Sequence, residues 1–249
     1  MAQQGRGLGA RVALIGFILG IAAAGAAILI GVANRFEIIT YRDGFHMLPW
    51  IVYGGIAAAA VSLLGAATTW KSARGFMVLA LVGLVLGGLT AWIPYHTRQA
   101  LRAAPKLNDV TTDTEHPPAF VAALAQRKES HATNSTDYNA KNAAVQHKYY
   151  PDIKPVMMPV PPEEAFARAR AAIKALRWKL IAADKAAGRI EAYDTTFWFG
   201  FKDDVVIRVA AAPGGSRVDI RSESRVGGRE AGTNAQRVRR LSKLLQGRS

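Results

Sequence analysis

The sequence predicts three N-terminal transmembrane helices followed by an α+β domain, in which two helices flank a four-stranded antiparallel meander. Two observations lead to this fold class. Long runs without a charged residue occur in residues 1–98, whereas short alternating segments separated by turn residues fill residues 161–249. The composition agrees, since half of the 249 residues are apolar although 20% are charged. Such a mixture indicates two unlike parts rather than one uniform globule.

The membrane domain is predicted over residues 1–98, with helices at about 12–32, 50–69 and 76–93. Each run is close to the roughly 20 residues that a helix needs to cross the core of a bilayer. Aromatic side chains that favour the headgroup level stand at the ends of the runs: Trp50, Trp70, Trp92 and Tyr95. Three membrane-spanning helices in contact with membrane lipids are therefore expected.

Small residues at four-residue spacing predict how these helices pack. Such spacing lets two helix backbones approach closely in lipid, and it occurs twice: Gly16 with Gly20, and Gly83 with Gly87. An alternative interpretation of the first run is a cleavable signal peptide, because basic residues precede it and Ala22–Ala26 offers small residues. The run continues to Val32, a length that favours a retained helix.

Basic residues predict the orientation. Arg6 and Arg11 precede the first run, and Lys71 and Arg74 lie in the tight loop between the second and third runs, so all four share one side. Cytoplasmic loops are enriched in Lys and Arg. We therefore predict a multi-pass protein of the bacterial inner membrane, with a cytoplasmic N-terminus and a periplasmic C-terminal domain, alone or within an envelope protein complex.

The overall positive charge of the chain suggests nucleic-acid binding as one interpretation. The net charge is +14 and the pI is near 10.4, values found in many nucleic-acid-binding proteins. In the N-terminal part, however, the cations flank apolar runs, where they act as topology and headgroup signals. No nucleic-acid partner is therefore expected. The absence of cysteine excludes disulfides, thiolate metal sites and cysteine nucleophiles.

Residues 99–160 are predicted as a connecting segment. Their Asp, Thr, Asn, His and Pro content predicts ordered loop or extended chain, with a short helix around Phe120–Gln126 and a flexible loop over Lys128–Lys148. The proline-flanked apolar residues of 149–162 favour an extended strip laid against a domain. The segment also contains His116, His131 and His147, whose wide spacing is not that of a metal site. Neither a metal nor a cofactor is expected.

The α+β domain is predicted over residues 161–249. Pro161 and Pro162 followed by two glutamates indicate the start of a helix that reaches about Leu176. Asn234 is a plausible N-cap for a final helix ending near Gln246. The four strands are expected at Trp178–Ala183, Arg189–Phe199, Asp204–Ala211 and Arg217–Ser224, with turns at Gly188, Asp203 and Pro213–Gly215.

Alternation along these strands predicts one buried and one charged face of the sheet. The buried face would hold Leu180, Ile190, Ala192, Val205, Ile207, Val209, Val218 and Ile220, and the other face Lys179, Glu191, Arg208, Asp219 and Arg221. Two interpretations of the charged face stay open. It is either a wetted outer face with paired charges, or a docking face in which Arg221 and Arg225 fork onto a carboxylate or phosphate. The candidate binding residues are Arg208, Asp219, Arg221, Ser224, Arg225 and Asn234.

The stretch FWFGF is the second unusual feature of this domain. Four aromatic residues in five cannot all fit the alternation of a half-buried strand. They plug the end of a core, line an apolar pocket, or touch the bilayer. Phe197, Trp198, Phe199 and Phe201 are therefore candidates for contact with an apolar ligand or a membrane.

Several spaced motifs resemble one uncharacterised family. These motifs are LNDVTTD with PPAF, YPDIKP, TTFWFGFKDDVVIRV, and VDIRSESRVGG with GTNAQRV. Together they resemble the bacterial and plastid domain-of-unknown-function family numbered fourteen ninety-nine, over about Pro105 to Leu245. The resemblance implies a secreted, lumenal or membrane-tethered protein, and it brings no established reaction, cofactor or partner.

The sequence thus favours a membrane-anchored envelope protein that acts as a non-catalytic interaction or assembly module. Its basic, mixed-charge sheet face would meet a protein or an anionic lipid. A binding domain for a lipid or apolar small ligand is the alternative. A hydrolase ranks behind both, because Ser222 and Ser224 have no histidine near them in the sequence. No catalytic residue is assigned.

Overall fold

In a computed structural model, the chain forms two compact units. The structure describes residues 2–71, 73–229 and 231–247, with side chains from residue 7 onward. Unit 1 comprises the chain up to Ala100 together with Trp198–Gly200, and unit 2 comprises the remainder.

Unit 1 consists of three long helices: α1 Ala2–Arg35, α2 Tyr41–Thr69 and α3 Arg74–Ala103. All three have the length and apolar composition needed to cross a membrane. Each includes one of the predicted charge-free runs and extends beyond it. Helix α2 begins at a capping box, in which Thr40 and Asp43 exchange hydrogen bonds. The three predicted spans are confirmed as helices.

Glycines allow the three helices to approach closely. A Cβ atom on Gly16 would lie 2.7 Å from the backbone nitrogen of Ser62, and one on Gly20 would lie 2.9 Å from the carbonyl oxygen of Gly83. A Cβ on Gly87 would likewise lie 2.7 Å from the carbonyl oxygen of Gly55. These separations leave no room for a side chain, so the packing role predicted for this spacing is confirmed.

Unit 2 is an α+β domain built on one sheet. Its elements are β1 Asp109–Thr111, α4 Ala123–Glu129, α5 Lys141–Tyr149, β2 Val156–Met158, α6 Pro162–Ala175, β3 Lys179–Asp184, β4 Arg189–Thr195, β5 Lys202–Ala212, β6 Gly215–Ser224 and α7 Thr233–Leu245. The strand order is β1-β6-β5-β4-β3, and β2 also pairs with β6. All pairs are antiparallel. The predicted class is confirmed, with six strands in place of four.

The two additional strands come from residues 99–160. Strands β1 and β2 have three residues each, too few to show a period of two in the sequence. The strip predicted over 149–162 does lie along the sheet, because β2 pairs with β6. Helix α5 forms at the end of Lys128–Lys148, the stretch that was predicted as a flexible loop.

The β4–β5 connection differs from the expectation. Strand β4 ends at Thr195 rather than Phe199, so FWFGF lies in the connection, whose base is closed by a hydrogen bond from the Thr196 N–H to the Phe201 carbonyl, 2.8 Å. Asp203 was predicted in a turn but lies in β5, where an ion pair with Arg237 compensates its burial.

Asn234 was predicted as the N-cap of the last helix, and this is wrong. The N-cap of α7 is Gly232, whose φ of 81° suits glycine. Asn234 lies inside the first turn of α7 and is fully buried.

The core lies between the sheet and the helices α6 and α7. It contains every residue predicted for the buried face except Leu180. Leu180 pairs with the core residue Ala192 and so shares its face, but it is 43% exposed because β3 is the last strand in the sheet order. The predicted start of α6 is confirmed, with Pro162 in its first turn followed by Glu163 and Glu164.

Candidate functional site

The register of the sheet defines the opposite, charged face. Residues that pair directly across antiparallel strands share a face, and three rows follow from the pairing. The charged face consists of Arg189, Arg208 and Asp219, of Glu191, Val206 and Arg221, and of Lys179, Tyr193, Asp204, Glu223 and Asp109, extended by Arg225. Acids and arginines alternate along β6, whereas like charges also stand opposite one another across the strands, as Asp204, Glu223 and Asp109 do.

Most of this face is covered by protein, which contradicts the first of its two interpretations, a wetted outer face. Residues 113–136, here called the covering segment, lie over it, and their Phe120 and Ala123 pack against Val206. Asp204, Arg221 and Arg225 are between 0% and 4% exposed. Charges removed from water to this extent require partners within the protein.

Glu191 positions helix α4 on the sheet. Its carboxylate accepts hydrogen bonds from the backbone N–H groups of Val121, Ala122 and Ala123, at distances of 2.8 to 3.1 Å. Helix α4 lacks a capping side chain of its own. A carboxylate from β4 thus satisfies donors that a local cap usually binds.

Two arginines converge on Asp204 beneath the covering segment. Nη1 of Arg127, from α4, lies 2.7 Å from Oδ2 of Asp204, and Nη2 of Arg225 lies 2.7 Å from Oδ1. Nη2 of Arg127 also reaches Oε1 of Glu223 at 3.2 Å. This arrangement holds the covering segment to β5 and β6 by charge-assisted hydrogen bonds.

Arg221, the predicted docking residue, forks onto Asp109 of β1. Its Nε and Nη2 atoms lie 2.9 Å from the two carboxylate oxygens. The guanidinium also donates to the carbonyl oxygens of Pro118 and Thr136 and lies over the Phe120 ring at 5.0 Å. Burial raises the pKa of Asp109 in spite of the hydrogen bonds and charge of Arg221. A role for Arg221 in binding a partner stays a prediction.

Glu223 is the least satisfied charge of this face. Among the described residues, its Oε2 atom has no hydrogen-bond partner. Burial raises the pKa of Glu223 to about 8, with Arg127 acting in the opposite direction. Ionising this carboxyl is therefore unfavourable in the folded protein near neutral pH.

Ser224 and Asn234 do not belong to the charged face. Ser224 pairs with Asp203, on the side of the sheet that faces α7. The Asn234 amide donates to Ser224 Oγ at 2.9 Å and to the Asn108 carbonyl at 3.0 Å, and Asn234 Oδ1 accepts from Ser222 at 2.6 Å. These residues connect α7 to the end of the sheet, so the structure divides the predicted binding set between two faces.

The margin of the charged face next to the covering segment is partly accessible. There the side chains of Arg208 and Arg217 are 35% and 40% exposed. Both donate to Oδ2 of Asp113, at 2.9 and 2.8 Å, and both also pair with Asp219. Burial opposes ionisation of Asp113, but the amides of His116 and Glu115 and the two arginines together lower its pKa.

The aromatic residues of FWFGF do not share one environment. Within unit 1, Phe199 stacks on Phe45 with ring centroids 5.6 Å apart, and the Asn34 amide donates to the Phe199 carbonyl. Phe197 is 90% exposed. Contact of Phe197, Trp198, Phe199 and Phe201 with an apolar ligand or a bilayer stays a prediction.

In the described ranges, no three His, Asp or Glu residues form a group able to hold a metal ion. Ser222 donates to Asn234, and His147 Nε2 lies 3.0 Å from Thr114 Oγ1. The hydroxyl and the imidazole that a serine hydrolase would have to combine are therefore each bonded elsewhere.

Fold and site together define a class of protein: three helices suited to a membrane, joined to an α+β domain whose sheet has an ionic face closed by its own chain. A family model described as "Protein of unknown function (DUF1499)" matches residues 109–245. This is more than half of the chain, and the chain belongs to that family, as the motifs indicated. No curated protein and no solved structure matches the chain.

Proposed function

We propose that this protein is a membrane-anchored envelope protein that acts as a non-catalytic interaction or assembly module. Its binding surface is the accessible margin of the charged face, centred on Arg208 and Arg217. One observation carries the proposal: both guanidinium groups are held in position by shared carboxylates and still reach solvent. Arginines fixed in this way lose little side-chain entropy when they bind a partner.

The charge balance of this margin favours a protein partner over an anionic lipid. Two arginines face two carboxylates, Asp113 and Asp219, so the cluster is nearly neutral. Attraction to an anionic membrane surface grows with net positive charge. A neutral group of both signs instead suits a protein surface that carries complementary charges.

The other predicted binding residues support this margin from beneath. Arg221 and Arg225 hold the covering segment in place, and Asp113 lies at the start of that segment. Ser224 and Asn234 attach α7 to the end of the sheet. In this proposal their substitution weakens binding through loss of structure, whereas substitution of Arg208 or Arg217 weakens binding directly.

The proposal places the protein in the bacterial inner membrane, with the N-terminus in the cytoplasm and unit 2 in the periplasm. Three apolar helices and the basic residues around Lys71 and Arg74 support it. Reporter fusions after Ser249 test the orientation. An alkaline phosphatase fused at this position should be active. If instead only a reporter that works in the cytoplasm is active there, the periplasmic placement is refuted.

The binding proposal is tested by purification from native membranes in mild detergent, with mass spectrometry of proteins and lipids. The double variant Arg208→Lys/Arg217→Lys keeps a cation beside the buried Asp219 but removes both planar guanidinium groups, so it should lose a stoichiometric protein partner while its melting temperature stays close to that of the wild type. Arg239→Lys, at an arginine of similar exposure that pairs with Asp152, serves as the control and should keep the partner. Retention of the partner by the double variant, or recovery of one defined lipid in its place, would refute the proposal.

A further inference from the structure

A second surface of unit 2 has a different charge balance. A groove lies between helix α6 and strand β3, with Phe166, Ile173, Trp178 and Leu180 along its floor. Its walls carry five basic residues and a single carboxylate, Glu163. The basic residues are Arg170, Lys174, Arg177, Lys179 and Lys185.

We propose that this α6–β3 groove binds an acidic, extended segment of a partner protein, laid along β3. The inference goes beyond the proposed function, because it concerns another surface and a defined class of ligand.

Charge is the first argument for an acidic ligand. Within the described residues, Lys185 pairs with Glu163, while the other four cations of the groove have no ion pair. The groove therefore keeps a net positive charge, unlike the balanced margin around Arg208. Carboxylates of a bound segment would supply the missing partners.

The shape of the groove is the second argument. Helix α6 has 14 residues and is about 21 Å long, and β3 has 6 residues and extends about 20 Å. Strand β3 runs back along α6, so that Lys185 reaches Glu163 in the first turn of the helix. A groove of this length fits an extended segment of about six residues better than a compact headgroup.

The edge of the sheet lies along this groove. Strand β3 is the last strand in the sheet order and pairs only with β4 among the described strands. Its open edge offers backbone groups to an added strand. The β-bulge between Leu180 and Ala182 interrupts a continuous ladder, so side-chain charges must supply much of the affinity.

Arg177 provides an independent observation. It ends α6 in a left-handed conformation, with φ of 59°. The Trp178 N–H donates to Ile173 and the Arg177 N–H to Lys174, the hydrogen-bond pattern of a helix end where glycine is preferred. The arginine at this position brings a cation into the groove.

The strain at Arg177 provides a variant that separates binding from folding. Arg177→Gly removes a groove cation and relieves the left-handed backbone, so its melting temperature should equal or exceed that of the wild type. Lys174→Gln removes a second cation from an exposed helix position. Arg240→Gln/Lys243→Gln, which removes two exposed cations from α7, is the matched control.

The experiment uses the full chain in neutral detergent micelles and a fluorescein-labelled peptide of alternating Glu and Val. Anisotropy should report binding that weakens with added salt. Lys174→Gln/Arg177→Gly should weaken it at least about fivefold, and the α7 control should leave it unchanged. Equal effects of the two double variants would show that the peptide binds only through the general positive charge of the protein, and this would overturn the proposal.

Two further measurements identify the binding site and the class of ligand. A benzophenone-bearing version of the peptide should crosslink to residues 179–185, and crosslinks confined to residues 208–217 would overturn the assignment to this groove. Vesicles containing phosphatidylglycerol are the other probe. If they bind in a groove-dependent manner while the peptide does not, the occupant is a lipid surface and the proposal is wrong. Arg208→Lys/Arg217→Lys keeps the buried Asp219 paired and changes no residue that lines this groove. Each binding proposal can therefore fail without the other.

Discussion

The charged face of the sheet and the α6–β3 groove are both rich in arginine and lysine, yet they differ in what surrounds those residues. On the charged face, Arg127, Arg221 and Arg225 are buried and each lies against a carboxylate. In the groove, the cations are partly or fully exposed and one carboxylate serves five of them.

This difference separates two uses of charge. Buried, balanced charges fix the position of the covering segment, and removing one partner leaves an uncompensated charge in the interior. Exposed, unbalanced charges contribute little to folding and remain available to a partner. Substitutions of the buried charges should therefore mainly lower stability, whereas substitutions in the groove should mainly weaken binding.

The largest effect is expected at Asp204. Asp204→Asn removes the carboxylate that the buried Arg127 and Arg225 share, which should lower the free energy of unfolding by about 3–5 kcal/mol. Pulse proteolysis in urea measures this on the detergent-solubilised protein. Asp184→Asn, which breaks an exposed pair with Arg189, should lower it by less than about 1 kcal/mol. Similar values for the two variants would contradict the distinction between the surfaces.

The next effect depends on pH and concerns Glu223. Its pKa is raised to about 8 in the folded protein, so the folded state holds a proton that the unfolded state releases above its ordinary pKa. Stability is therefore highest below pH 4.5 with respect to this group and falls by up to about 1.4 kcal/mol per pH unit until about pH 8.

Melting temperatures of unit 2 from pH 5 to pH 8 test this slope. Glu223→Gln keeps the shape of the side chain and should flatten the decline over that range. Groups with lowered pKa values, such as Asp113, act at more acidic pH. A decline that is equally steep in the variant would show that another group titrates.

The contrast between the surfaces also explains what could be predicted from the sequence. The strands β3 to β6 alternate in side-chain character over six residues or more, and both faces could be assigned from that period. The exposure of Leu180 on the last strand of the sheet and the early end of β4 could not, because they depend on which strands pair and over what length.

The sequence of the strands does not indicate that a distant segment covers the charged face. Arg127 meets Glu223 across 96 positions, and Arg221 meets Asp109 across 112. The residues that cover the face lie in a polar stretch without periodicity, which has the composition of a loop. An alternating charged strand therefore indicates a polar face, and only tertiary contacts decide whether water or protein covers it.

A smaller effect is expected where Glu191 holds the start of α4. In Glu191→Gln, an amide replaces a carboxylate that accepts from three backbone N–H groups. One donor would then face another, and we expect a loss of about 1–3 kcal/mol in the free energy of unfolding. Hydrogen exchange should become faster first at Val121, Ala122 and Ala123. Unchanged protection of these amides would show that α4 is held by its apolar contacts instead.

The smallest effect on stability, with a measurable effect on binding, is expected at Glu163. This exposed carboxylate is the one acid of the α6–β3 groove, and Lys185 lowers its pKa by a hydrogen bond. Glu163→Gln should leave the melting temperature within about 1 °C of the wild type, since exposed pairs contribute little. It should also tighten binding of the Glu–Val peptide, because Lys185 becomes available and a repulsive charge is lost. The matched variant Glu164→Gln removes the neighbouring acid, which pairs with Arg168 outside the groove lining, and should change the affinity less. Equal tightening in both variants would mean that the peptide senses the charge of the whole domain, and the groove would lose its distinction from the rest of the surface.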